Sequence, residues 1–378
     1  MKLLFIDDQR DTLQPAIQAV EDTGAHTCFI CDFQDAVEQI KSRQPDIIVL
    51  DLMEGMGEPA AQHEAWREPY DFIWSQRFCP IIVFSAFADE LSVDRPDVSH
   101  PFITTVVKGQ TGPSDLLAAL EQFSSHVEVL QRTEADTQRM LRTAMRAVAP
   151  HVFRCLPDDP DARVDVTQRM TKRRLAASLD ESLEGIQPWA WEQFICPPLD
   201  SEGLLTGDIL LRSGKDEANP ESYMIVLTPS CDLVGGQQGL KAENVLLAQC
   251  VCIREAVKEL NNGDLPAMPN SKLRRKIEDA LAIGFFRHFV FVPGLLRSVP
   301  VMATNLKKLV VLPVAEVVGI DKTLIRVASV DSPFRELITW AYLQSVGRPG
   351  VPDRNRTHWQ REIIQSIYPQ GQGQDAGN

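Results

Sequence analysis

Four apolar runs in this chain each end on a residue that can do chemistry. Leu3-Leu4-Phe5-Ile6 runs into Asp7-Asp8, and Ile47-Ile48-Val49-Leu50 runs into Asp51. Ile81-Ile82-Val83-Phe84 runs into Ser85, and Thr104-Thr105-Val106-Val107 runs into Lys108. Continuous apolar runs of this length suit parallel strands covered on both faces, and open α/β sheets bind ligands at the carboxyl ends of their strands. Side by side, these ends gather three carboxylates, a hydroxyl and an ammonium. Hard carboxylate oxygens at Asp7, Asp8 and Asp51 suit Mg²⁺, which offsets their mutual repulsion and screens an incoming phosphoryl group. Asp51 is then placed as a nucleophile that forms an acyl phosphate, with Lys108 and the Ser85 hydroxyl holding two phosphoryl oxygens.

A second set of reactive residues lies late in the chain. Thr228-Pro229-Ser230-Cys231-Asp232-Leu233 directly follows an apolar run. Cys231 is a candidate nucleophile, its thiolate favoured by a cation such as Arg287 or His288. The simpler reading packs Cys231 inside and has Asp232 cap a turn. Cys250 and Cys252 share one strand face, where with Cys231 and Cys196 they make a candidate zinc set; their spacing lacks the turn of a zinc knuckle. Cys28 and Cys31 point to opposite faces of one strand, which argues against a redox pair. Lys272, Arg274, Arg275 and Lys276, with Lys307-Lys308, make either a nucleic-acid face or a solvated helix surface. A net charge of -14 favours the solvated surface and argues against anionic membranes as partners.

The elements that position the first set alternate. After the first strand, Leu13, Ile17 and Val20 mark a helix over about Thr12 to Asp22, stopped by Gly24. A strand follows over His26 to Cys31, then a helix over Asp35 to Ser42, and Pro45 introduces the Asp51 strand. Residues 54–78 read as Gly-rich, then helical. Pro96 and Pro101 weaken the next helix. Five such units imply one parallel sheet with right-handed crossovers.

From Leu116, the positions Leu120, Phe123, Val127, Leu130, Leu141, Ala144 and Val148 keep a spacing of four and three, broken by Glu134 and Thr137. Neither Pro nor Gly intervenes between Leu116 and Pro150, so about 35 residues predict a helix of roughly 50 Å with a dimer-forming coiled-coil seam, the alternative being two antiparallel helices packing on their own domain. Beyond about Gly203 short β-rich runs appear, among them Tyr223 to Leu227, Asn244 to Ala248, Phe289 to Val292 and Lys308 to Leu312. Turn clusters separate them, predicting a mostly antiparallel sheet or small barrel, with helices over Lys272 to Ile283, Pro333 to Ser345 and His358 to Ile367.

At 378 residues, the chain is long enough for two or more cores. The expected division is 1–125, an extended helix over 126–149, a helical connector over 150–202, a β-rich domain over 203–369 and a disordered Gly/Gln-rich tail over 370–378. Asp7-Asp8 cuts the first apolar stretch far short of a signal core, and no stretch approaches the ~20 apolar residues of a membrane span. Eight cysteines without a disulfide-framework spacing suit reduced thiols in the cytoplasm.

On Asp7-Asp8, Asp51, Ser85 and Lys108, in that order, residues 1 to about 125 resemble the CheY-like receiver domain of two-component response regulators. The resemblance implies a (βα)5 doubly wound parallel sheet and Mg²⁺-dependent phosphorylation of Asp51 within a phosphorelay from a histidine kinase, with autodephosphorylation. It also implies that the Met53 backbone carbonyl completes the metal site. Three departures stand out: Gly109 follows the lysine where the family usually has proline, Thr105 takes the aromatic switch position, and Pro96 falls in the fourth helix. Residues 205–352 loosely resemble uncharacterised bacterial β-rich domains with a Cys-Asp-Leu turn. In those domains Arg287 with Phe289, Ser332-Pro333-Phe334-Arg335 and Gly347-Arg348 also recur, and no firm activity follows. No helix-turn-helix, nucleotide-cyclase or phosphodiesterase signature is evident. The expected protein is a homodimeric response regulator whose non-enzymatic output acts on a downstream protein partner. The alternative is a receiver-gated catalytic or nucleic-acid-acting effector using Cys231, Asp232 and Arg287.

Overall fold

The computed structural model describes residues 1–52, 66–86, 100–109, 111–156, 158–181, 188–198, 203–233, 241–295, 299–318, 323–347 and 356–367. The chain divides into two compact units, Met1–Glu184 and Gly185–Asn378. Among the described residues, no helix is long and apolar enough to cross a membrane.

In the first unit the apolar runs become β1 (Lys2–Ile6), β2 (Thr27–Cys31), β3 (Ile47–Leu50), β4 (Ile81–Ser85) and β5 (Ile103–Val107). They form one parallel sheet in the order β2-β1-β3-β4-β5. Helices α1 (Arg10–Glu21), α2 (Ala36–Arg43) and α3 (Arg67–Phe72) follow β1, β2 and β3, and α4 begins at Gly112 after β5. The period-2 alternation of each strand splits its side chains between two cores. Leu4, Ile6, Ile48 and Leu50 pack with Ala36, Ile40, Tyr70 and Ile73 from α2 and the segment after β3. Leu3, Phe5, Val49 and Phe84 pack with Leu13, Ile17, Leu116 and Leu120 from α1 and α4 on the other face. The sheet is therefore doubly wound, as the sequence predicts. Because β2 and β3 lie on opposite sides of β1, the chain reverses direction across the sheet between β1 and β3. The ends of those two strands bound the crevice where such sheets take ligands.

The long helix is continuous. α4 runs Gly112–Cys155, 44 residues and about 66 Å. It passes through Pro150, where the sequence predicts a break. A proline inside a helix removes one backbone hydrogen bond, but Val148 and Val152 on either side are both buried, and their packing carries the helix across. After a short loop, α5 (Pro160–Glu181) packs back on it. Consequently, Ala144 and Val148 of the predicted seam, and Val152 beyond it, are covered within the same chain. Between these two buried ends, residues 131–139 of α4 are exposed.

The second unit is built on an eight-stranded sheet in the order β10-β11-β12-β9-β8-β7-β13-β6, every pair antiparallel. Its strands are β6 (Phe194–Ile195), β7 (Asp208–Arg212), β8 (Tyr223–Val226), β9 (Asn244–Cys252), β10 (Phe285–Phe286), β11 (Phe289–Val292), β12 (Met302–Pro313) and β13 (Leu324–Val330). Helices α6 (Ser230–Leu233), α7 (Ile253–Leu260), α8 (Ser271–Ile283), α9 (Val314–Val318), α10 (Phe334–Val346) and α11 (Arg356–Ile367) decorate it. Asn270 caps α8 by accepting from Leu273 N, and Gly284, at φ 89°, ends it. The order leaves two-residue strands at both edges, so the described strands make a sheet and not a closed barrel.

Candidate functional site

Strand register brings the predicted residues of the first unit to one edge. Ile6 pairs with Leu50 and Ser85 with Val107, so Asp7, Asp51, Ser85 and Lys108 all stand at carboxyl ends. The backbone continues this alignment: Asp51 N donates to Ile6 O at 3.0 Å, and Lys108 N donates to Ser85 O at 3.1 Å. Lys108 Nζ lies 2.5 Å from Asp7 Oδ2 and 2.6 Å from Asp51 Oδ2, bridging the two acids. The other carboxylate oxygens accept from backbone, Asp7 Oδ1 from Gln9 N and Asp51 Oδ1 from Leu52 N, each at 2.7 Å.

These groups are buried. Asp7 is 1% exposed and Asp51 5%, Ser85 is fully enclosed, and Asp8 is half-buried. Burial, first, and the Asp51 carboxylate hold Asp7 above the ordinary 3.8, although Lys108 pulls it down. Lys108 also lies over the Phe84 ring, 5.9 Å from its centroid, a contact the sequence did not single out. The edge thus carries three carboxylates against one ammonium. That surplus of charge on hard oxygens fits a divalent cation in donor type. Among the described residues no three acidic, histidine or cysteine groups close into a metal-binding cluster, and Lys108 stands between Asp7 and Asp51. Met53, expected to lend its carbonyl, lies outside the described residues, as do Pro96, Arg348 and the 370–378 tail.

The tentative residues of the second unit do not converge. Cys231 is exposed on α6, the turn that follows β8, and not packed inside; among the described residues its Sγ reaches Asp232 Oδ1, at 3.6 Å. Arg287 pairs with Glu259 at 3.1 Å, and His288 Nε2 lies 3.6 Å from the same carboxylate. Both belong to the β10–β11 turn, and β12 and β9 lie between β11 and β8. Cys250 is fully buried beside Thr304, and burial pushes its thiol up to about 12, which disfavours the thiolate zinc requires. Cys196 and Cys252 are exposed. Cys28 and Cys31 pack on opposite faces of the first sheet, with burial pushing them to about 11 and about 12. Lys276 donates to Asn261, and Lys308 pairs with Glu255, so the basic residues are partly engaged within the fold.

The sequence reading missed a buried carboxylate. Asp208 is fully enclosed and accepts from Ser329 Oγ at 2.5 Å and Leu205 N at 2.7 Å, with Arg326 Nη1 at 3.5 Å. Thr206 N donates to Ser230 Oγ, which ties this loop to the Thr228–Asp232 turn. A cleft of about 610 Å³ in this unit is lined by Ile253, Val257, Ile277, Leu281 and Phe334 among others, with no charged side chain among the described residues that line it.

No family model and no curated protein matches the chain. Solved structures that align with it include the signal receiver domain of a putative LuxO repressor protein from Vibrio parahaemolyticus, at 16% identity over 35% of this chain and 96% of that one, TM-score 0.29. Another is the N-terminal domain of a response regulator receiver protein from Methanoculleus marisnigri JR1, at 18% identity over 32% and 96%, TM-score 0.22. A third is the anti-anti-sigma factor PhyR from Bartonella quintana, at 19% identity over 36% and 51%, TM-score 0.27. Likenesses this low carry no argument; the strand order does. An open parallel sheet in the order 2-1-3-4-5, with helices on both faces, is the CheY-like arrangement. The first sheet has the CheY-like strand order.

Proposed function

We propose that the chain is a two-component response regulator whose Asp51 accepts a phosphoryl group from a histidine kinase. The observation that carries this reading is Lys108 Nζ spanning Asp7 and Asp51 at a strand edge that Ser85 completes. A carboxylate oxygen of Asp51 attacks phosphorus, and the bond from phosphorus to the donor's ring nitrogen breaks. The electron pair returns to that nitrogen, which then takes up a proton. Lys108 leaves its bridge to hold a phosphoryl oxygen, and the Ser85 hydroxyl donates to another. Asp7, Asp8 and Asp51 would hold Mg²⁺, which supplies positive charge against the incoming anion.

The output acts through α4, changing dimer or interdomain geometry and so the binding of a downstream protein. Support for a dimer is confined to the exposed middle of α4, because the far end of its seam is covered by α5. Among the described residues no cation stands by the Cys231 thiol, and Arg287 pairs with Glu259 instead, so a catalytic output has no support there.

The test is labelling by a small-molecule phosphodonor with Mg²⁺, read as a hydroxylamine-sensitive mass increase. Wild type takes the label and Asp51→Asn does not; equal labelling of both sinks the assignment.

A further inference from the structure

Phe84 stands between the acceptor edge and the start of α4. It precedes Ser85, is 3% exposed, and packs in one apolar cluster with Leu116, Ala119 and Leu120. One side of its surroundings is the Lys108 ammonium, 5.9 Å from the ring centroid. Another is Gly112, the first residue of α4. A Cβ placed there would lie 3.3 Å from Phe84 Cε2 and Cζ and 3.2 Å from the Val107 carbonyl oxygen. The glycine lets the helix start press against the ring with no slack. The backbone between is tied at both ends, Lys108 N to Ser85 O and Gly112 N to Gly109 O, each at 3.1 Å. Gly109 is different: a Cβ there would meet nothing within 4 Å.

Resting on the receiver reading, we infer that Phe84 is the positioning residue that passes occupancy of Asp51 to α4 through Gly112. While Lys108 bridges Asp7 and Asp51, its ammonium sits over the ring. When a phosphoryl oxygen takes that ammonium, the charge beside the ring moves, and Ser85, the next residue on β4, gains a partner of its own. An enclosed ring responds as a unit with its neighbours because close-packed interiors transmit small shifts. The neighbour without slack is Gly112. Occupancy therefore reaches the helix at its first turn, by way of an aromatic side chain on β4 and not one at Thr105 on β5.

The experiment uses the full chain with beryllofluoride and Mg²⁺ as the phosphoryl stand-in. Occupancy is read from the bound-fluoride NMR signal and the helix from amide exchange over residues 112–127. Wild type gives the signal and a changed exchange pattern. Phe84→Leu keeps the signal and loses the change; Gly112→Ala, whose Cβ resets the helix start even without ligand, keeps the signal and shows no further change on binding, and Gly109→Ala keeps both signal and change. Using two variants guards against one that misfolds. A wild-type change retained in both Phe84→Leu and Gly112→Ala overturns the coupling. Loss of the fluoride signal in Phe84→Leu also overturns it, because the ring would then serve the site and not the helix. No Asp51-dependent signal in wild type overturns the receiver reading, and the coupling with it.

Discussion

Asp7 with Asp51 in the first unit, and Asp208 in the second, are buried carboxylates beside a cation, yet they are built to opposite ends. Asp208 faces Arg326 and accepts from Ser329 and Leu205, while Arg326 also donates to Gly203 O at 2.9 Å. One negative charge meets one positive charge, and the surrounding donors fill the remaining lone pairs. At the other edge, Asp7 and Asp51 share a single ammonium, and Asp8 adds a third carboxylate. Burial is the first cause raising both Asp7 and Asp208 above 3.8, so depth does not separate them. The sum of charge does. A balanced buried cluster holds a loop in place, whereas an unbalanced one is stable only with a cation close by and so invites a ligand.

This contrast can be broken most forcefully at Lys108. Lys108→Met leaves two nearly enclosed carboxylates without their partner and is expected to cost about 3–5 kcal/mol at neutral pH. The pH dependence has a definite sign. Without Lys108, Asp7 is raised further; an acid raised in the folded state contributes stability that is fully present below 3.8 and lost as pH rises through its folded value. Urea midpoints should therefore bring variant and wild type together near pH 4 and separate them towards pH 7. A gap independent of pH would contradict the surplus of charge.

Asp208→Asn should cost less, about 1–3 kcal/mol, because the amide keeps an acceptor for Leu205 N and the Ser329 hydroxyl can turn to accept from its NH2. Millimolar Mg²⁺ should raise the melting temperature of Asp208→Asn as much as that of wild type, since both keep the acceptor edge, and leave that of Asp51→Asn unmoved. Equal responses of the two variants would erase the distinction between site and scaffold. Breaking the Arg77–Glu134 pair, where Glu134 is half exposed, should cost less than about 1 kcal/mol in the same melts. Cys231→Ser should fall within about 0.5 kcal/mol and leave labelling at Asp51 intact; a larger effect would reopen a chemical role for that thiol.

The first unit was legible because buried parallel strands announce themselves as unbroken apolar runs, and the residue after each run is its strand end. Asp51 and Lys108 are 57 residues apart and still meet, since parallel register fixes which ends align. What was not legible depends on contacts no local pattern encodes. Pro150 reads as a stop, and only the burial of Val148 and Val152 shows why the helix continues. Asp208 meets Ser329 across 121 residues through the pairing of β7 with β13. Cys231 reads as a strand-end core residue because it follows the apolar run of β8, yet α6 turns it out to solvent. Arg287 found Glu259, a partner given by topology and not by sequence proximity.

Among the described residues, two polar contacts fasten α4 to the first sheet's domain beyond its packed first turns: Gln131 to Asp46 at 2.7 Å, and Glu134 to Arg77 at 3.5 Å. From Glu134 to Cys155, about 21 residues extend for roughly 32 Å. Mechanically, the helix is a lever with its fulcrum at Gln131 and Glu134. A tilt of about 5° there swings the Cys155 end by roughly 3 Å, with α5 as the load it carries. Salt that weakens the half-exposed Arg77–Glu134 contact softens the fulcrum without touching the acceptor edge. The travel at the far end is then set by where the helix is pinned as much as by how far its first turn moves.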